Sequence, residues 1–211
     1  MRMRKKPNLI PRMERCAAVL TQEPEALRGK WLSRFPGLGA LYLELGCGKG
    51  RFTCETASIE KTALLAAVER VPDALVIALE RAVAAELPNA RFMSLDAARL
   101  ADVFAPGEVN RIYINFCDPW PSNKRAKRRL TSEGFLRLYT ELLAPGGEIH
   151  FKTDNAPLFE YSLERFALCG FSLSEVTRDL HGGGVTGIMT DYEVKFAEQG
   201  VPIRRCVAAR K

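Results

Sequence analysis

Three clusters in this sequence carry residue types able to do chemistry. The first is Leu43-Glu44-Leu45-Gly46-Cys47-Gly48-Lys49-Gly50. Glycine tolerates positive φ and close approach of backbone to a ligand. A glycine loop between a strand and a helix lies where open α/β sheets bind ligands. The spacing is Gly-x-Gly-x-Gly, not the Gly-x-Gly-x-x-Gly of dinucleotide sites. Arg51 stands where that fingerprint needs its third small residue, and it would obstruct close helix–strand packing. Glu44, two residues before the first glycine, would repel a pyrophosphate but suits the ammonium and sulfonium of S-adenosylmethionine. Glu69 and Asp96 end the next two strand-like runs. From there Glu69 can hydrogen-bond ribose hydroxyls, and Asp96 can meet the adenine end of the cofactor. A tight turn and helix N-caps would use the same residues. Three acids at three successive strand ends beside a glycine loop favour the cofactor.

The second cluster is Asp118-Pro119-Trp120-Pro121, delivered by the run Arg111–Cys117 to the same sheet edge. It resembles the Asp/Asn-Pro-Pro-aromatic signature of enzymes that methylate exocyclic amines, with Trp in the third place. A guanine N7 already has a lone pair, so its methylation needs no general base; the base must mainly be positioned. Asp118 can accept from the N1–H and N2–H₂ donors of guanine and stabilise the developing cation. Trp120 either stacks on or shapes the pocket, or simply packs in the core. Directly after come Lys124, Arg125, Ala126, Lys127, Arg128 and Arg129, five cations in six positions. A charge run is usually a solvated face; beside a presumed reaction centre it is the better reading as a phosphate-binding loop.

The elements that must hold these residues follow from apolar periodicity. Leu41–Leu45, Ala63–Val68, Ala90–Leu95 and Arg111–Phe116 suit strands buried on both faces. Between them Leu75, Leu79, Val83 and Leu87 recur every four residues after Pro72. Phe135, Leu138, Tyr139 and Leu142 mark a helix ended by Pro145-Gly146-Gly147. A strand over Glu148–Thr153 then leads into a helix carrying Phe159, Leu163 and Phe166 and closed by Gly170. Alternating strands and helices mean a mostly parallel sheet with helices on both faces. After Gly170 the pattern turns strand-like around a loose His181-Gly-Gly-Gly184 loop, with two late strands, one antiparallel. Residues 1–38 form a basic arm and an amphipathic helix in which Met13, Cys16, Ala17 and Leu20 recur; residues 39–211 form a single domain.

Composition sets the outer limits. The chain has 211 residues, 47% hydrophobic and 27% charged, the balance of a folded globular protein. No apolar run approaches the ~20 residues of a membrane span, and no apolar stretch follows the basic start, so a soluble cytoplasmic protein is expected. Six cysteines are scattered without a Cys-x-x-Cys pair, and His150 and His181 are the only histidines, which leaves a metal site poorly supplied. A net charge of +6 is a moderate hint of an anionic partner. Nothing in the sequence separates a monomer from a homodimer.

These motifs, from about Leu41 onward, are similar to those of the bacterial tRNA (guanine-N7-)-methyltransferase family. The match runs through the glycine motif, Asp-Pro-Trp-Pro with its Lys-Arg-Arg-Leu, Phe151-Lys-Thr-Asp154-Asn155, and Thr190-Asp191-Tyr192-Glu193 with Lys195, Phe196 and Gly200. The resemblance implies a Rossmann-like, seven-stranded class I methyltransferase fold. It implies cofactor contacts at Glu44, the glycines, Glu69, Asp96 and Asp118. It implies substrate contacts at position 122, Asp154 and Thr190–Glu193, and RNA contacts along Lys124–Arg129. The reaction implied is methyl transfer from S-adenosylmethionine to N7 of a guanosine in the tRNA variable loop. Two departures stand out: Ser122 where the family commonly has Lys, with Lys124 nearby, and Leu95 where it often has Asn. Asp154 is equally well placed to cap the next helix. Glu193 lies in a strand-like pattern and could be a surface carboxylate. Rival readings are a methyltransferase acting on an exocyclic amine or a protein amide, an inactive RNA-binding module and, weakly, a dehydrogenase.

Overall fold

The computed structural model describes residues 5–210, and the chain divides into two compact units, Met1–Ala105 and Pro106–Lys211. In the first, α1 (Leu9–Glu14), a 3-10 turn (Pro24–Leu27) and α2 (Trp31–Arg34) precede β1 (Ala40–Leu45), α3 (Arg51–Ile59), β2 (Ala63–Val68), α4 (Pro72–Ala84), β3 (Ala90–Met93), a 3-10 turn (Ala97–Arg99) and α5 (Leu100–Val103). β2 runs parallel between β1 and β3, and all six of its residues are buried, as a strand covered on both faces requires. α4 buries Leu75, Leu79 and Ala82, yet Val83 is exposed. Steps of four overshoot a helical turn by about 40° each, so a strict four-residue spacing drifts off the core face.

The expected helix through Met13 and Leu20 is a correction. α1 stops at Glu14 with none of its residues buried, and residues 15–19 form turns before Leu20 bridges to Phe92. Val19 O accepts from Phe92 N–H at 2.9 Å, and Thr21 N–H donates to Phe92 O at 2.8 Å. These bonds satisfy the outer edge of β3, which a helix could not do. Cys16 and Val19 are buried beneath, and Arg12 fixes α1 to α4 through a two-pronged pair with Glu80, both bonds 2.7 Å. The first four residues of the expected arm lie outside the described residues.

The second unit holds β4 (Val109–Asn115), a 3-10 helix (Asn123–Arg128), α6 (Glu133–Leu142), β5 (Leu143–Thr153), α7 (Ala156–Leu168), β6 (Ser172–Thr177), α8 (Asp191–Glu198) and β7 (Arg204–Ala209). β4 and β5 are parallel; β7 is antiparallel to both β5 and β6. Phe151 of β5 packs on Phe159 and Phe166 of α7 with ring centroids 6.2 Å apart in each case. α6 already ends at Leu142, and Pro145-Gly146-Gly147 lies inside β5 instead: the pairing moves from Val109–Leu143 to Arg111–Glu148 across it. The strands follow the order β3-β2-β1-β4-β5-β7-β6, a seven-stranded α/β sheet. Among the described residues no helix is long and apolar enough to cross a membrane.

Candidate active site

In the first unit the ends of three strands are stitched together by main chain. Gly46 and Cys47 N–H donate to Val68 O, at 2.9 and 3.0 Å, and Glu69 N–H donates to Met93 O at 3.1 Å. The loop between β1 and α3 turns through positive φ at Gly46, Gly48 and Gly50. A Cβ on Gly50 would sit 2.6 Å from Ala78 Cβ of α4, so the close-packing position is Gly50. The sequence placed that demand on Arg51, which instead pairs with Glu55. A Cβ on Gly46 or Gly48 would meet nothing within 4 Å. Their bare side is therefore open to a ligand.

Glu44 ends β1 with its side chain buried and accepts from Thr53 Oγ1 of α3. Thr53, nine residues on, was not singled out from the sequence. Glu69 Oε2 accepts from Gly48 N–H at 2.9 Å, and its Oε1 accepts from Val71 N–H, the residue before α4, at 2.8 Å. Asp96 lies beyond β3 and caps the 3-10 turn, accepting from Ala98 N–H at 3.0 Å. The acids expected to meet the cofactor thus also tie down the start of the element that follows each of them. The Cys47 thiol is pushed well above its ordinary range, chiefly by burial and then by Glu44 and Glu69. The loop therefore sits in a negative field, hostile to another anion and favourable to a sulfonium and an ammonium. A buried carboxylate, an uncovered glycine cradle and an anionic field fit S-adenosylmethionine.

In the second unit β4 ends at Asn115, and two non-glycine residues then take left-handed conformations, Phe116 (φ 53°) and Trp120 (φ 41°). Each costs about 1–3 kcal/mol and persists only where the surroundings impose it. Asp118, between them, is exposed. The Cys117 thiol beside it is raised to about 12, by burial first and the Asp118 charge second. Ser122 leads into the 3-10 helix without a side-chain capping bond. Along that helix Lys124, Arg125, Lys127 and Arg128 are exposed and Ala126 is half-buried. The guanidinium carbons of Arg125 and Arg128 lie 5.8 and 5.1 Å from the Trp120 ring centroid. Arg129 differs from the others: it is buried and turned toward the Asp-Pro-Trp loop.

The late segment requires a correction. Thr190–Glu193 opens helix α8 and is not part of a strand. Thr190 Oγ1 accepts from Glu193 N–H at 3.0 Å, while Glu193 Oε2 accepts from Thr190 N–H at 3.1 Å, a reciprocal capping box. Glu193 is fully buried and not on the surface. Its Oε2 also takes a 2.7 Å bond from Lys152 Nζ of β5, and its Oε1 lies 3.0 Å from His181 Nε2. Lys152 Nζ further donates to Ile188 O at 2.9 Å. Lys152 and His181, neither singled out from the sequence, hold this carboxylate; nothing in the run Glu148–Thr153 marks its Lys as turned inward. Asp191 is half-buried and Tyr192 exposed. Tyr192 stacks on Phe196, which stacks on Phe116, with centroids 6.5 and 6.0 Å apart, so α8 braces the strand end that carries Asp118. Asp154 is half-buried, and the residue that caps α7 is Asn155, accepting from Leu158 N–H at 2.8 Å. The capping alternative for Asp154 is thereby removed. No group of three potential metal ligands occurs among the described residues.

Residues 39–206 match a family model described as "Putative methyltransferase". The chain is 42% identical to a tRNA (guanine-N(7)-)-methyltransferase of Geobacillus thermodenitrificans, covering 100% of this chain and 98% of the relative. It is 44% identical to the protein of the same name from Halalkalibacterium halodurans, covering 99% and 95%. Among solved structures, the 16S rRNA methyltransferase KamB superposes with a TM-score of 0.64 at 20% identity, covering 88% of this chain and 90% of that one. That last likeness concerns the fold alone.

Proposed function

The chain belongs to the tRNA (guanine-N7-)-methyltransferase family, and from that premise we propose how its own residues carry out methylation of tRNA guanine at N7. When bound, S-adenosylmethionine supplies a methyl group on a sulfonium. Glu44 and the open glycine loop bind the positively charged end of that donor, Glu69 takes the ribose hydroxyls and Asp96 the adenine side. Asp118 accepts hydrogen bonds from the N1–H and N2–H₂ edge of the guanine and so aims N7 at the methyl.

The N7 lone pair forms the new bond while the sulfur–methyl bond breaks, its electron pair staying on sulfur. Positive charge passes from sulfonium to base, and Asp118 stabilises it there. No proton needs to leave, consistent with a site whose acids serve as acceptors and with no histidine assigned to proton transfer. Asp191 and Tyr192 line the approach of the nucleotide, and Asp154 adds a further acceptor. Lys124, Arg125, Lys127 and Arg128 hold phosphates, with Lys124 taking the part the family gives to Lys at position 122. Residues 39–211 act as the methyltransferase domain behind the segment 1–38, in the cytoplasm where tRNA is processed.

The observation that carries this reading is an exposed carboxylate, Asp118, beside four exposed cations on one 3-10 helix. N7 faces the deep, narrow groove of an RNA helix, which side chains reach poorly, so the target is an unpaired guanosine such as one in the variable loop. The test is to incubate unmodified tRNA with the protein and methyl-labelled donor, then digest and identify the nucleoside. Label in 7-methylguanosine at a loop position is expected. Label on an exocyclic amine, or none, overturns the reading.

A further inference from the structure

We propose that Arg129, the last cation of the basic run, is a positioning residue for Asp118 and not a phosphate contact. The inference rests on the active-site reading above and deepens it. Four of the five cations in the run are exposed, while Arg129 is 8% exposed. Its Nε donates to Pro119 O at 3.0 Å and to Trp120 O at 3.3 Å, and its Nη2 donates to Trp120 O at 3.0 Å. One face of the guanidinium lies over the Tyr161 ring of α7, 4.3 Å from the centroid.

Every one of these hydrogen bonds goes to the main chain of the two residues that follow Asp118. That segment most needs restraint, because Phe116 and Trp120 on either side are both left-handed without being glycine. Such conformations survive only when neighbouring groups over-determine them. A planar fork fixed by a ring on one face and two carbonyls at its edge is a rigid restraint of that kind. An ammonium can replace neither the fork nor the stacking. Burial leaves this guanidinium little surface to offer a phosphate, and its Nε and Nη2 are already given to the carbonyls of the loop. The run Lys124–Arg129 therefore divides by function: the exposed members meet RNA, and the buried one sets where the Asp118 carboxylate points.

The test uses the full-length protein with unmodified tRNA and compares Arg129→Lys, Arg129→Ala and Lys127→Ala. Single-turnover methylation at saturating tRNA is expected to fall at least about tenfold in Arg129→Ala, and less in Arg129→Lys, because misplaced reacting groups are penalised steeply. The dissociation constant for tRNA and its salt dependence should match wild type in both Arg129 variants. Lys127→Ala should lower the slope of log K against log salt by roughly 0.7–0.9. Donor affinity within twofold of wild type shows that a variant has folded, and Arg129→Lys carries the test if Arg129→Ala does not fold. An Arg129 variant that loses salt slope as Lys127→Ala does, at an unchanged single-turnover rate, overturns the proposal. If the wild-type protein methylates tRNA and both Arg129 variants keep its rate, only the positioning role fails. If wild type itself transfers no methyl to guanine, the active-site reading fails first.

Discussion

Glu44 takes its bond from Thr53, nine positions further on, and Glu69 from Gly48, 21 positions before it, whereas Glu193 is held by His181, 12 residues before it, and by Lys152, 41 before it. The proposed donor half in the first unit rests on main chain at adjoining strand ends, with glycines leaving room for a ligand. The proposed acceptor half in the second is built of side chains brought in from β5, α7, α8 and the basic 3-10 helix. A main-chain cradle fails when atoms are added; a buried side-chain network fails when they are removed. The two halves should therefore be sensitive to opposite kinds of substitution.

The largest expected effect is in the second unit. Lys152→Ala would remove the cation paired with the fully buried Glu193, a loss of about 3–5 kcal/mol. Denaturant unfolding measures it, and Lys152→Met combined with Glu193→Gln should recover most of the loss. A cost below about 1 kcal/mol, the level of a solvated surface pair, would break the contrast. The matching addition in the first unit is Gly50→Ala. Left-handed strain at φ 73° and the 2.6 Å approach to Ala78 Cβ together should cost about 2–4 kcal/mol. Gly46→Ala brings strain without a clash, so its stability loss should be smaller while donor affinity still falls. Equal destabilisation by the two alanines would contradict the packing role given to Gly50.

Asp118→Ala tests the proposed chemistry. Turnover should drop about 10²–10³-fold, as when one preorganised charge-stabilising group is lost, with donor affinity kept because Glu44 and the glycine loop are intact. Asp118→Asn retains an acceptor without the charge and should fall between Asp118→Ala and wild type. A wild-type rate in Asp118→Ala would remove Asp118 from the mechanism.

The same contrast explains what could be seen in the sequence. β1, β2 and the glycine loop were legible because each is a local pattern: an apolar run, a spacing, an acid at a strand end. The segment 190–198 reads as strand-like because Tyr192, Val194 and Phe196 alternate with polar residues. Yet Thr190-x-x-Glu193 is the signature of a capping box, and that local signal would have found α8. Arg129 could not be distinguished from its neighbours, since a run of cations carries no mark of which one turns inward; that depends on Tyr161, 32 positions away by their numbers in the chain. The Lys152–Glu193–His181 contacts were illegible for the same reason. Long-range pairing of single side chains leaves no periodicity behind.

Two thiols allow the contrast to be read unit by unit, with a smaller effect. Cys54 of α3 and Cys206 of β7 are both buried, and burial above all raises each to about 12. In the unfolded chain a cysteine ionises near 8.5. Because the folded value is the higher one, the stability these thiols contribute is complete below about pH 8.5 and is lost as pH climbs from there toward 12. Near pH 8 alkylation must proceed through local opening, since only the thiolate reacts. Lys152→Ala should speed labelling of Cys206 more than that of Cys54, because β7 pairs directly with the strand that carries Lys152. Gly50→Ala should do the reverse, because Cys54 lies in the helix that Gly50 begins. Mass spectrometry of the labelled peptides gives both rates in one experiment. If each variant accelerates the two thiols equally, the main-chain and side-chain designs do not confer separate local stabilities, and the difference between the halves is one of chemistry alone.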